Sequence, residues 1–144
     1  MLIGHFAVST LLHRYLEVDL SATMIGGIFP DIVDKTLCQG LHITPSGRMY
    51  SHTLVSLVMS TLLIRKFTND EKALGWGLGY FGHLIADTGG FVPLFYPFRK
   101  YHFFPSERSF TGNIWDSLFT PRWLEWALVL WAVLAMIQTK KKTR

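Results

Sequence analysis

An all-α, membrane-associated bundle of about five helices, with a metal site at one end, is the fold the sequence predicts. Three observations predict it. Helix-length apolar runs alternate with short polar connections. The composition is greasy: 49% hydrophobic, 15% aromatic and only 17% charged residues, less charged than an ordinary soluble domain. The most apolar run, Gly79-Tyr80-Phe81-Gly82-His83-Leu84-Ile85-Ala86-Asp87-Thr88-Gly89-Gly90, carries one histidine and one aspartate four residues apart. That spacing sets His83 and Asp87 on one helix face. Burying either alone is costly, so they require a partner.

The 144 residues read as a single domain, 1–144. A net charge of +4 without a basic, aromatic-laced stripe argues against nucleic-acid binding and for a positive surface facing anionic lipid. Cys38, the single cysteine, excludes an internal disulfide. No secretory leader is expected, because Met1-Leu2-Ile3 enters the first apolar run directly.

Leu2 to Leu16 reads as the first helix, with His5, Ser9 and His13 near one face. Leu20 to Phe29 is a second, small-residue-rich helix that Pro30 is expected to stop. Pro30-Asp31-Ile32-Val33-Asp34-Lys35 follows it, and residues 36–50 read as loop from Gly40, Pro45 and Gly47. Ser51 is the expected cap of a third helix that starts at His52 and runs to Ile64. Thr68-Asn69-Asp70-Glu71 turns the chain into a fourth helix reaching about Thr88.

Residues 89–121 are rich in proline and aromatics, from Phe91 to Trp115, and read as a long functional loop or as short interfacial helices. From Arg122 to Thr139 a final apolar run of about 18 residues spans about 27 Å as helix. Followed by Lys140-Lys141-Lys142, it is the best transmembrane candidate.

Short connections favour helices running alternately up and down. In that arrangement His5, Asp31, Asp34, His52, His83 and Asp87 all reach the same end. His, Asp, His, His and Asp make a nitrogen and oxygen shell suited to Zn2+ or another transition-metal ion. Each member also has a plainer reading. His5 reads as a helix-terminal residue facing water, Asp31 and Asp34 as turn residues after Pro30, and His52 as an exposed first-turn residue. The His83/Asp87 pair resists such a reading, because ionisable groups inside apolar helices are usually functional. His13, His42 and His102 read as solvated. Glu125 either pairs with Arg122 on its own helix or reaches the site.

Gly4-His5, Gly27-Ile28-Phe29-Pro30-Asp31-Ile32-Val33-Asp34, Ser51-His52-Thr53, Gly82-His83-Leu84-Ile85-Ala86-Asp87 and Tyr96-Pro97-Phe98 together resemble the membrane-bound metal-dependent hydrolases. That group includes the LexA-binding, inner-membrane-associated hydrolases. The resemblance runs from the start of the chain to the Pro97-Phe98 region, and rests on the ordered set rather than on any one motif. The order His, Asp, His, His-x-x-x-Asp is also similar to the zinc-dependent phospholipases C. That similarity implies one zinc held by Asp31, His52, His83 and Asp87, and a second held by Asp87 with His5.

The implied activity is a membrane-bound metal-dependent hydrolase acting through a metal-activated water on a phosphoester or lipid-type substrate. Its cofactor would be one or two divalent ions, with zinc first. Asp34 and Asp87 are the candidate catalytic residues, Asp34 by orienting a histidine ligand or accepting the water's proton. Arg48, Arg99, Lys100 and Arg108 are candidate contacts for a phosphate or headgroup. The expected partners are membrane lipid and a small-molecule or lipid phosphoester, and the expected location is the inner membrane, multi-pass or embedded. Basic residues are slightly more numerous at the end opposite the site, which would turn the site away from the cytoplasm. The alternative is a non-catalytic membrane scaffold or regulator with a structural metal site, closed by four protein ligands.

Overall fold

Five α-helices carry the fold in the computed structural model, which describes residues 2–88, 90–103, 105 and 123–142. They are α1 (Leu2–Leu16), α2 (Leu20–Lys35), α3 (Leu54–Phe67), α4 (Asp70–Ala86) and α5 (Trp123–Lys142). A π-helical turn, Thr36–Gly40, continues α2. No strand occurs among the described residues. Arg108, Trp115 and Arg122, named above, lie outside the described residues.

The helix starts follow from capping. Asp19 accepts from the Ala22 amide at the start of α2, and Asn69 accepts from the Lys72 amide at the start of α4. At α3 the cap is Thr53, whose hydroxyl accepts from the Ser56 amide. Ser51, the expected cap, instead lies two residues upstream in the buried approach to the helix. Pro30 does not stop α2, which runs on to Lys35. The proline lacks the N–H that would bond the Gly26 carbonyl, and the continuation past it is accompanied by burial of Pro30, Asp31 and Asp34. The helical continuation carries Asp31 and Asp34 on one side of α2, where both are buried.

α2 and α4 pack most extensively, α1 lies against α2, α4 and α5, and α3 covers α4. Glycines permit the α2–α4 approach. A Cβ at Gly79 would stand 2.0 Å from the Thr23 carbonyl oxygen, and one at Gly26 would stand 2.3 Å from the Trp76 carbonyl oxygen. Backbone therefore meets backbone here. Around this seam Ala22, Trp76, Tyr80 and Leu84 form a core that Phe29, Leu54, Leu57 and Ile64 complete. A second, smaller core joins α1 to α5 through Ala7, Leu11, Ala132 and Ala135.

The apolar surplus faces outward. α3 has no buried residue, and Val58, Met59, Leu62 and Leu63 on it are exposed. Trp126, Leu130, Trp131, Leu134 and Ile137 on α5 are exposed as well. Such extended apolar faces mark surfaces that lipid or a partner covers.

The transmembrane expectation for the last helix is corrected. Among the described residues no helix is long and apolar enough to cross a membrane. α5 is a 20-residue helix, but Glu125 near its start and Lys140 near its end confine the uncharged, apolar part to residues 126–137. That stretch rises about 18 Å, against a hydrocarbon layer of about 30 Å. A multi-pass arrangement therefore has no support in these helices.

Candidate metal centre

Four side chains meet at one end of the bundle. Asp31 comes from the last turns of α2, His52 from the segment before α3, His83 from the last turn of α4, and Asp87 from the residue that ends α4. All four are buried, and one ligand atom from each lies within 4.8 Å of all the others. Asp87 keeps helical backbone angles, and its amide bonds the His83 carbonyl at 3.1 Å. The four-residue spacing therefore holds both side chains on one face, as the sequence predicts.

Hydrogen bonding fixes how the imidazoles point. His52 Nδ1 is 2.8 Å from Asp34 Oδ2, and His83 Nδ1 is 2.7 Å from the Gly27 carbonyl oxygen. A carbonyl and a carboxylate only accept, so each Nδ1 carries the proton and donates it. In the neutral rings both Nε2 atoms then bear lone pairs, and they face each other across 3.2 Å. Two acceptors do not hold that approach unless a cation lies between or beside them.

The carboxylates complete the arrangement. Asp31 Oδ1 lies 3.6 Å from His52 Nε2 and 4.0 Å from His83 Nε2. Asp87 Oδ2 lies 3.6 Å and 3.7 Å from the same two nitrogens. Ligands about 2.0–2.1 Å from a tetrahedral zinc stand about 3.4 Å from one another, close to these separations. Asp31 Oδ1 and both Asp87 oxygens are buried and accept no hydrogen bond. Buried oxygens of this kind are costly unless something positive serves them, so the residues present fit a divalent cation.

His5 stands beside this group. Its ring stacks on His83 with centroids 3.9 Å apart, and its Nε2 lies 3.6 Å from Asp87 Oδ1. Neither His5 ring nitrogen is hydrogen-bonded. His5 lies by Asp87 Oδ1 whereas His52 lies by Oδ2, and His5 is outside the group of four.

Asp34 sits behind the ligands. Besides His52 it accepts from the Met49 amide at 2.7 Å and the Ser51 amide at 3.0 Å. One carboxylate thus ties the end of α2 to the loop that carries both Arg48 and His52. Tyr80, fully buried, ties the same loop to α4 by donating to the Ser51 carbonyl.

Electrostatics reflect this crowding. Burial works against the charged form of His52, but Asp31, Asp34 and Asp87 outweigh it and push the imidazolium up to about 10. Burial, and then the neighbouring His83, bring His5 down to about 3. Burial likewise lowers His83. Burial opposes ionisation of Asp87, yet His52 and Arg48 hold its carboxyl at about 2. Asp31 is lowered for the same reason, through His52 and Lys35 against burial. A proton on His52 thus plays in the metal-free chain the part that the fit assigns to a cation.

Two basic side chains of the rim reach the ligands. Arg48 Nη2 is 2.8 Å from Asp87 Oδ2, and Lys35 Nζ is 2.7 Å from Asp31 Oδ2. The Lys35 contact is an i,i+4 pair visible in the sequence. The Arg48 contact and the Gly27 carbonyl have no sequence signal, because a loop and a piece of backbone supply them.

Of the other candidates, His13 bonds the Val18 carbonyl through Nδ1 at 2.6 Å and serves the α1–α2 turn. His42 and His102 are exposed. Arg99 and Lys100 are exposed and make no ion pair among the described residues. Glu125 is buried on the stripe of α5 that includes Ala132 and Ala135, and its Oε2 accepts no hydrogen bond.

No curated protein and no solved structure matches the chain significantly. A family model does, that of the YdjM inner membrane protein, over residues 1–143. Given a match over nearly the full length, the chain belongs to the YdjM inner membrane protein family.

Proposed function

We propose that the protein is a membrane-bound, metal-dependent hydrolase whose ion is held by Asp31, His52, His83 and Asp87. One observation carries the reading: two buried imidazoles with committed Nδ1 protons turn their Nε2 atoms toward each other at 3.2 Å, beside Asp31 and Asp87 carboxylate oxygens that accept no hydrogen bond. When bound there, a divalent ion, with zinc the first candidate, acidifies a coordinated water and polarises the oxygen of the bond to be cleaved.

The chain's own residues do the rest. Asp34 and the Gly27 carbonyl lock the two imidazoles in the tautomer that presents Nε2. Both Asp34 oxygens are already used on amides and on His52, so Asp34 acts as a positioning residue rather than as a base. Asp87 offers Oδ2 to the four-residue group and Oδ1 to His5. It is therefore suited to serve a second ion together with His5. The outward apolar faces of α3 and α5 keep the protein against lipid.

A second reading rests on the ligand count. Four protein ligands close a structural zinc site, whereas a catalytic one keeps a position open. On that reading the ion staples α2, α4 and the His52 segment in a non-catalytic membrane scaffold.

The test begins with metal content of the purified protein and of His83→Ala, by mass spectrometry. The hydrolase reading expects a bound divalent metal in the first and its loss in the second. Hydrolysis of bis-p-nitrophenyl phosphate that vanishes in Asp87→Ala, with helicity intact, separates enzyme from scaffold. Absence of metal from the native protein refutes both readings.

A further inference from the structure

We infer that Arg48 and Lys35 form an anion-binding pair at the mouth of the metal centre, and that the substrate they select carries a phosphoryl group rather than a neutral ester. The inference rests on the metal-dependent reading above and adds the substrate class to it.

Each cation is positioned on a different ligand carboxylate, Arg48 on Asp87 and Lys35 on Asp31. Both side chains stay accessible, 34% and 25% exposed, while the carboxylates beneath them are buried. They therefore offer cationic surface to solvent directly beside the buried ligand carboxylates.

Arg48 is not spent on its partner. Its guanidinium has five donors in a planar fork. It approaches Asp87 Oδ2 at 2.8 Å, yet that oxygen accepts no well-aligned hydrogen bond. The remaining edge suits two oxygens of a phosphoryl group. The placement is also built. Asp34 pins the loop at Met49 and Ser51 on either side of residue 50. On the other flank Arg48 runs against Gly90, where a Cβ would meet its Nη1 at 2.7 Å. A larger residue at position 90 would displace the guanidinium.

Charge points the same way. With a divalent ion bound, that ion and the two side-chain cations outweigh Asp31, Asp34 and Asp87 by one positive charge. A buried centre of that sign favours an anion over a neutral ester. Hydrolysis would then be redox-neutral. The oxygen of water bonds to phosphorus, the bond to the leaving oxygen breaks, and the leaving alcohol takes up one of the water's protons.

The test uses the full chain in detergent micelles, loaded with zinc and assayed for metal content. Binding of inorganic phosphate is measured by calorimetry for the native protein, Arg48→Gln, Arg48→Lys and Lys35→Gln. Native protein should bind phosphate, and Arg48→Gln should weaken that binding about 10- to 100-fold with zinc content unchanged. Arg48→Lys, which keeps charge without the fork, should fall between and guards against a folding defect. Phosphatidic acid in the micelles and free glycerol phosphate, used as competitors, tell a headgroup from a soluble phosphoester. Zinc-loaded protein that ignores phosphate, or binds it equally well in Arg48→Gln and Lys35→Gln, overturns this inference and leaves the metal site standing. Protein that takes up no zinc overturns both. A larger rate enhancement over the uncatalysed reaction for p-nitrophenyl acetate than for p-nitrophenyl phosphate also overturns it.

Discussion

Gly79→Ala tests whether the metal centre depends on the close approach of α2 and α4. The added methyl would lie 2.0 Å from the Thr23 carbonyl oxygen, 2.8 Å from its carbon and 3.0 Å from the Thr23 Cα. Ordinary carbon–oxygen contact needs about 3.4 Å, so the helices must part by roughly 1 Å or more, since all three neighbours are backbone and cannot rotate away. Overpacking of this kind costs about 1–3 kcal/mol, or about 2–4 °C of melting temperature per kcal/mol for a chain of this size. The displacement also reaches the site. His83 lies one turn beyond Gly79 on α4, and its Nδ1 hydrogen bond to the α2 carbonyl of Gly27 is 2.7 Å long. Stretching that bond frees the imidazole to tilt, and loss of such an outer contact typically weakens metal binding about 10- to 100-fold. Thermal unfolding in detergent followed by circular dichroism reads the first effect, and zinc competition against a chromophoric chelator reads the second. A variant as stable as the native protein, with the same zinc affinity, would refute the α2–α4 contact and its link to the site.

Three further outcomes are expected. Asp34→Asn should lower zinc affinity about 10- to 100-fold while keeping all four ligands, because an amide cannot accept from His52, Met49 and Ser51 together; chelator competition checks it. Tyr80→Phe removes the buried donor to the Ser51 carbonyl and should destabilise the fold by about 1–3 kcal/mol, read by thermal melting. The third concerns pH in the metal-free protein. His52, raised from 6.5 to about 10, contributes stability that is full below pH 6.5 and is lost as pH rises through 10. Asp87, at about 2, contributes stability that is full above its ordinary value of 3.8 and is lost as pH falls through 2. His5, lowered to about 3, disfavours the fold progressively as pH falls from 6.5 toward 3, because the unfolded chain takes up that proton first. Zinc must displace the His52 proton, so binding at pH 8 should release at least about one proton. Calorimetry in buffers of different ionisation enthalpy measures that number, and a value near zero would show His52 already neutral.

Most of the helices and most of the candidate metal centre are legible in the residues themselves. α1 matches its expected limits, and α4 needed only its apolar run and the Asn69 cap. His83 and Asp87 were paired by helical spacing alone, a short-range regularity that needs no tertiary information. Pro30 misled because a proline's missing N–H disfavours a helix locally, whereas the burial of Pro30, Asp31 and Asp34 that accompanies the continuation of α2 is a tertiary matter. Ser51 misled because both Ser51 and Thr53 can cap a helix, and in the fold Ser51 is instead spent on Asp34 and Tyr80 while Thr53 accepts from the Ser56 amide. α5 misled as a membrane span because flanking lysines were read as anchors, when they and Glu125 shorten its apolar length.

By itself the sequence determined which residue types were available, that most of them would sit on or at the ends of helices, and that a histidine and an aspartate one turn apart would share a face. Only the tertiary structure decided that Asp34 faces His52 and the Met49 and Ser51 amides, that Gly27 lends a carbonyl to His83, and that Arg48 rests on Asp87. The physical reason is range. Periodicity and capping act over a turn or two of chain, whereas the ligand contacts join positions 31, 52 and 83 through packing of glycine-lined helices, which no local pattern encodes.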